Sequence, residues 1–499
     1  MSISLTFRPD EYEVKTLSCK GKSISYRAYT GLYYCALPKD PIQKLNLFAP
    51  EIYFSGGTIS GYDLHSAPIF IPNTVGGYLP GHCDEPGTDW KGNLNSIFLA
   101  LEHGYVVVSP GIRGRTTGEE TSEFFEGSSG GAVSAASGRH TGRAPALIVD
   151  LKAVIRYLRH NQNTIPGNTQ RIITSGTSAG GALSALAGAS GNCPAYEPYL
   201  TEIGAARERD DIFAASCYCP IHNLENADAA YEWQFYGIDT YHMLRFSRTP
   251  DGHPKPTFVD GVLTEEEKQI SANLRALFPP YVNSLGLKDP QNGRDLKLDS
   301  DQKGSFLNYI IGKLCDSAQN ELDTHDTVQN KAAFMVKGSE VESIGALTIQ
   351  DQKVLSLNWE EYVRQITRMK AVPAFDSLDL NSPENEEFGT ETIDARHFTP
   401  YSCQNSKKNG LLADDETIRL MNPVLHIDKA DTARHWRIRH GSFDRDTSLA
   451  IPAILALSLQ NKGYDVDFAY PWGLPHSGDY DLEELFAWID SLCLTHPVS

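Results

Sequence analysis

The sequence predicts an α/β fold: a mostly parallel central sheet flanked by helices, interrupted by a large, mainly helical insertion. Three observations carry this reading. The chain up to about Pro220 alternates strand-like and helix-like runs, the pattern of a parallel sheet covered on both faces. Beyond Pro220 the alternation stops, and helical and loop segments dominate. Near the C-terminus it returns, so the core is split in sequence. The expected division is a first core part (residues 1-219), an inserted lid (220-396) and a second core part (397-499).

In the first part, "QKLNLFAPEIYF" and "APIFIP" read as strands, and "NSIFLALEHG" as a helix leading into the buried strand "YVVVSPG". "APALIVDLKAVIRYLRHNQ" has apolar residues at helical spacing and ends in basic residues, which suit a helix C-terminus. "RIITS" is a short β-branched strand, Ala179 onward a small-residue helix, and "DIFAASCYCP" another strand. Within the insertion, Thr264 and Glu267 form a capping box at the start of "KQISANLRALF". "SFLNYIIGKLCDSAQNEL" and "WEEYVRQITRMK" are further helices. The last part runs strand ("HWRIRHG"), helix ("SLAIPAILALSLQNKG"), strand ("YDVDFAYPWG") and amphipathic helix ("DYDLEELFAWIDSLC").

Composition narrows the function. A 499-residue chain with 40% hydrophobic residues builds a large core. Its net charge of −19 repels polyanions and argues against nucleic acid as a partner. No run of eighteen apolar residues exists, so no membrane span is expected. The N-terminus lacks an apolar signal core, and nine scattered cysteines fit reduced thiols, Cys217 and Cys219 being read as buried structural ones. A cytoplasmic protein is the expectation. No C-x-x-C pair, H-E-x-x-H or Walker-type loop appears, so neither metal nor cofactor is expected.

Between the strand "RIITS" and its helix stands Gly176-Thr177-Ser178-Ala179-Gly180, a G-x-S-x-G in the strand–turn–helix setting that motif needs. A sharp turn lifts the serine oxygen clear of the sheet, and the helix N-terminus behind it offers N–H groups to a developing oxyanion. The second match, around Ser129 in Gly127–Gly131, has no apolar strand before it and reads as a flexible Gly/Ser loop. A serine nucleophile needs a base and an orienting acid, which in the α/β-hydrolase order follow as acid, then histidine. "WRIRHGSFDRDTS" places Asp444 and Asp446 after the penultimate strand, and "FAYPWGLPHSGDYD" places His476 after the last. Order alone leaves Asp444 and Asp446 both open as the acid, and Asp446 also reads as a helix N-cap.

Longer strings carry a family resemblance. "NTVGGYLPG", "GIRGRTTG", "GTSAGG", "CPIHNLENADAAYEWQF", "TRMKAVPAFDSLDLNSPEN", "WRIRHGSFDRDTS" and "PWGLPHSGDYDL" resemble bacterial tannases of the lactobacillus type (tannin acyl hydrolases), α/β-hydrolases with a large lid between nucleophile and acid. The Gly/Ser-rich segment from about Gly118 to Gly138 departs from the pattern as an extra loop. The resemblance implies Ser178 as nucleophile, His476 as base, Asp444 as acid, and Gly77 with Ala179 as oxyanion donors. It further implies that Lys370, Glu384 and Asp446 recognise a galloyl ring whose faces Ile221 and Pro383 flank. One ammonium and two carboxylates suit an edge of three phenolic hydroxyls. Without the resemblance, Lys370 and Glu384 read as a lid ion pair or a solvated helix end. The expected substrates are small aromatic esters, namely gallate esters and galloyl sugars. The rival activities are a feruloyl or protocatechuoyl esterase, a peptidase, or a non-catalytic binding protein.

Overall fold

A computed structural model of the chain describes residues 2–89, 92–118, 139–248, 254–325 and 345–494. Ser129 and most of the Gly/Ser-rich segment lie outside these residues. The strands are β1 (Glu13–Cys19), β2 (Lys22–Tyr33), β3 (Lys44–Pro50), β4 (Pro68–Pro72), β5 (Val106–Pro110), β6 (Asn168–Thr177), β7 (Ala214–Tyr218), β8 (Thr240–Arg248), β9 (Pro254–Val262), β10 (Leu347–Gln350), β11 (Lys353–Leu357), β12 (His435–Arg439) and β13 (Asp465–Ala469).

Nine of them form one sheet in the order β1-β2-β3-β5-β4-β6-β7-β12-β13. From β5 to β13 every pairing is parallel, whereas β1, β2 and β3 join antiparallel. Every residue of β5 and β7 is buried, as expected of strands covered on both faces. Edge strand β1 alternates exposed with half-buried residues. Helix Ala146–His160 packs on helix Ala179–Ala189, and helix Ser96–His103 packs on the last helix, Leu482–Leu494. Among the described residues no helix is long and apolar enough to cross a membrane.

The connection from β7 to β12 departs from the sequence reading in two respects. It contains two antiparallel ribbons, β8–β9 and β10–β11, each a separate two-stranded sheet, with Tyr241 of β8 also bridging Arg368, besides the expected helices Glu265–Ser284, Ser305–His325 and Trp359–Ile366. The capping box forms, with Thr264 and Glu267 each bonding the other's backbone. The helix expected through Lys370 instead stops at Ile366, where Thr367 turns to φ 59°. Lys370 therefore sits on a loop.

Candidate active site

Parallel pairing puts one end of each central strand at one edge of the sheet. Pro72 pairs with Ser175, Thr177 with Tyr218, Tyr218 with Arg439 and Arg439 with Ala469. The segments leaving β4, β6, β7, β12 and β13 carry Gly77, Ser178, Ile221, Asp444 and His476 in turn. All five emerge at the same carboxyl edge, where α/β sheets place ligands.

Ser178 occupies the turn between β6 and helix Ala179–Ala189 with φ 62° and ψ −123°, a backbone region costly to any residue with a β-carbon. Three backbone bonds hold it there: its N–H donates to Tyr218 O (2.9 Å), and Ile221 N–H (3.2 Å) and Ala182 N–H (3.0 Å) donate to its carbonyl. Gly180 is required because a β-carbon on it would lie 2.5 Å from Asn73 Oδ1 and 2.7 Å from Val75 O. The Ser175 carbonyl, four residues before Ala179, accepts from both the backbone and side-chain nitrogens of Asn73. Ala179 N–H thus begins the helix without its intrahelical acceptor. The Asn73 segment leads into a tight turn in which Leu79 N–H donates to Gly76 O (2.9 Å). Gly77 and Tyr78 are both left-handed, at φ 55° and 58°, as in a type I′ turn. Since a trans amide points its N–H opposite its carbonyl, Gly77 N–H faces away from the turn.

His476 Nδ1 lies 2.7 Å from Asp444 Oδ2. Asp446 Oδ2 is 3.9 Å from the same nitrogen, and Asp446 does not cap the following helix, whose N-cap is Leu449. Asp444 is the histidine's partner. Its other oxygen, Oδ1, accepts Asp446 N–H at 2.8 Å. Burial disfavours the Asp444 carboxylate, but His476, then His440 and these bonds, outweigh it and hold the pKa below the usual carboxylate range. Burial likewise opposes the His476 imidazolium, and the charges of Asp444 and Asp446 overcome that and raise its pKa well above 6.5. The His476 loop packs onto the elbow so closely that a β-carbon on Gly478 would meet Thr177 Oγ1 at 1.9 Å. Among the described residues no hydrogen bond joins the Ser178 hydroxyl to His476; such contacts are often long in unliganded enzymes.

Lys370 Nζ lies 3.4 Å from Asp446 Oδ1 and 3.9 Å from the centre of the Phe375 ring. Burial works against its charge, yet Asp446 and Glu384 hold its pKa above the ordinary value. Glu384 is buried on the short helix Pro383–Glu387. Burial raises its pKa, with Lys370, its own backbone N–H and Arg115 offsetting part of that rise. Ile221 is buried, and Pro383 is exposed at the first position of Glu384's helix. A separate cleft of about 230 Å³, lined by residues including Lys39, Arg113, His140 and Arg396, contains none of the predicted site residues.

Sequence reasoning missed the residues that bring these groups together. Tyr231 accepts from Met369 N–H and Lys370 N–H, each at 3.0 Å, and donates to Arg445 O at 3.0 Å. It thereby ties the Lys370 loop to the Asp444–Asp446 loop. Behind it, the fully buried pair Arg368–Glu232 closes at 2.6 Å. Asp228 accepts Phe375 N–H and Asp376 N–H, its pKa pushed up to about 7 by burial and by Asp376. Buried His440 also faces the Asp444 carboxylate, its Nδ1 3.6 Å from Asp444 Oδ2, the oxygen that His476 holds. Cys219 is buried as expected and donates its thiol to Ser477 O at 3.3 Å, beside His476. Tyr231 lies in the string "CPIHNLENADAAYEWQF", but nothing in its spacing marks it as a pin.

The chain is similar to known esterases. The BD-FAE family matches residues 134–217, the stretch containing the elbow. Esterase LipQ from Mycobacterium tuberculosis is 36% identical over 146 residues, which is 29% of this chain and 31% of that protein. The chain thus spans about a third of the length of that curated relative. The crystal structure of tannase from Lactobacillus plantarum superposes with a TM-score of 0.89 at 46% identity, covering 98% of this chain and 100% of that one. Tannase from Fusobacterium nucleatum gives 0.88 at 45%, covering 98% and 99%. A tannin acyl hydrolase in complex with ethyl gallate gives 0.87 at 46%, with the same coverage. With nearly half its residues identical along nearly its whole length, the chain belongs to the tannase (tannin acyl hydrolase) family of α/β-hydrolases.

Proposed function

We propose that the protein is a serine esterase that hydrolyses galloyl esters, both simple gallates and those of hydrolysable tannins, through Ser178, His476 and Asp444. The observation that carries this reading is the adjacency of two charge pairs. Lys370–Asp446 at 3.4 Å stands beside His476–Asp444 at 2.7 Å, with Asp446 only two residues from Asp444. A recognition group and the acid that orients the proton-transferring histidine therefore share one loop. The ethyl gallate complex of the relative supports the same ligand class.

In this mechanism Asp444 fixes His476 with Nδ1–H toward the carboxylate, leaving Nε2 to take the Ser178 proton. The serine oxygen attacks the ester carbonyl, and the oxyanion rests on Gly77 and Ala179 N–H, each donor contributing about 10²–10³ in rate. His476 returns the proton to the departing alcohol or sugar. Water, activated by the same histidine, then releases gallate from the acyl-enzyme. Lys370 donates to the ring hydroxyls, Asp446 and Glu384 accept from them, and Ile221 and Pro383 flank its faces. On this reading residues 220–396 form a lid over a core built from 1–219 and 397–499.

The deciding experiment compares turnover of methyl gallate, methyl ferulate and methyl benzoate by the purified protein. The expected result is a large preference for gallate. A protein inert on methyl gallate but active on ferulate would replace the galloyl assignment with a feruloyl one.

A further inference from the structure

Arg115 lies on the loop after β5, in "GIRGRTTG", and its side chain is nearly buried. It reaches two parts of the site at once. Its Nε donates to Gly77 O at 3.0 Å, and its backbone N–H donates to Tyr78 O at 2.8 Å. These are the two left-handed residues of the turn that presents Gly77 N–H. Its Nη1 pairs with the Glu386 carboxylate, on the five-residue helix that also bears Glu384. Its charge favours the ionised forms of Glu384 and Glu387 on that helix.

We infer that Arg115 is a positioning residue that couples ring recognition to oxyanion stabilisation, by clamping the Gly77–Tyr78 turn to the Glu384 helix. The inference rests on the galloyl reading for its recognition half only. The physical case begins with Tyr78. A non-glycine residue at φ 58° is held against its own preference, and its phenol is tied at the far end, donating to Ile221 O at 2.7 Å. Ile221 N–H in turn donates to the Ser178 carbonyl. The turn is thus fixed on one side by the elbow and on the other by a guanidinium whose opposite edge holds the recognition helix. A planar fork with rigidly placed donors can bridge a carbonyl and a carboxylate at once, which a single ammonium cannot do with the same geometry. Seating a ring against Glu384 then presses on the same guanidinium that orients the oxyanion turn.

The test uses the full-length protein with two substrates. Methyl gallate requires ring recognition, and 4-nitrophenyl acetate has no hydroxyls to be read. Arg115→Met is expected to lower kcat on both esters about tenfold, part of what one oxyanion donor contributes, and to raise KM for methyl gallate several-fold. Arg115→Lys keeps a charge opposite Glu386 and is expected to restore that KM while kcat stays low. Full kcat in Arg115→Met, or losses in kcat and KM that follow a fall in Tm and vanish on cooling, would overturn the inference. Should Arg115→Met not fold, Arg115→Lys decides: wild-type kcat refutes the clamp, and low kcat with wild-type KM supports it. Failure of the galloyl reading is distinguishable, because the wild type would then be inert on methyl gallate while the acetate kcat still reports on Arg115.

Discussion

The Lys370 ammonium stands 3.4 Å from the Asp446 carboxylate, although 75 residues of chain and the boundary between connection and core separate them. Buried ion pairs of this kind gain little net stability, since desolvation offsets the attraction. On the galloyl reading proposed above, the pair has another use, because phenolic hydroxyls would insert between its members.

Lys370→Met should therefore lower kcat/KM for methyl gallate by about 10² or more, and far less for 4-nitrophenyl acetate. Steady-state kinetics on the two esters check this. Equal losses on both would mean that the lysine supports the loop rather than the ring.

Ser178→Ala should cut kcat by about 10⁵–10⁶, and Asp444→Asn by about 10⁴ through loss of the histidine's orientation. A fluorophosphonate probe should label the wild type and leave Ser178→Ala unlabelled, with intact mass spectrometry as the readout.

The acidic limb of kcat/KM should lie above the ordinary imidazole value of 6.5. His476 must be neutral to accept a proton, its folded-state pKa is raised, and activity therefore appears as pH rises through that raised value. Asp446 is one of the charges responsible. Asp446→Asn, assayed on 4-nitrophenyl acetate, should shift the limb to lower pH; a shift upward would contradict the assignment.

Tyr231→Phe should cost about 1–3 kcal/mol of stability, because buried backbone groups lose their partner. It should also raise KM for methyl gallate, since the loops of Lys370 and Arg445 are no longer pinned to each other. Thermal unfolding and KM measured on the same preparation check both halves.

Much of the scaffold was legible because buried parallel strands and the elbow have strong local signatures: "YVVVSPG" and "RIITSGTSAGG" name their own conformations. The β1–β2 hairpin was not, since β1 alternates without apolar residues on most positions, and its register comes from pairing with β2. The end of helix Trp359–Ile366 was missed because apolar spacing continues past Thr367, and only the left-handed turn there frees Lys370 from the helix. Order along the chain could not separate Asp444 from Asp446; a difference of 2.7 against 3.9 Å to one nitrogen does. Tyr231 and Arg115 escaped notice because their task is to bond carbonyls and amides remote in sequence, which leaves no local periodicity.

Strands β7 and β12 are immediate parallel neighbours, Ala214 beside His435, yet everything from Cys219 to Arg434 hangs between them. Topologically that whole stretch is one oversized crossover. Its size can change while the sheet keeps its register, so this stretch can diverge without moving the Ser178 turn at the end of β6. Grafting a different excursion onto these two strands is the natural route to a redesigned esterase with the same blade.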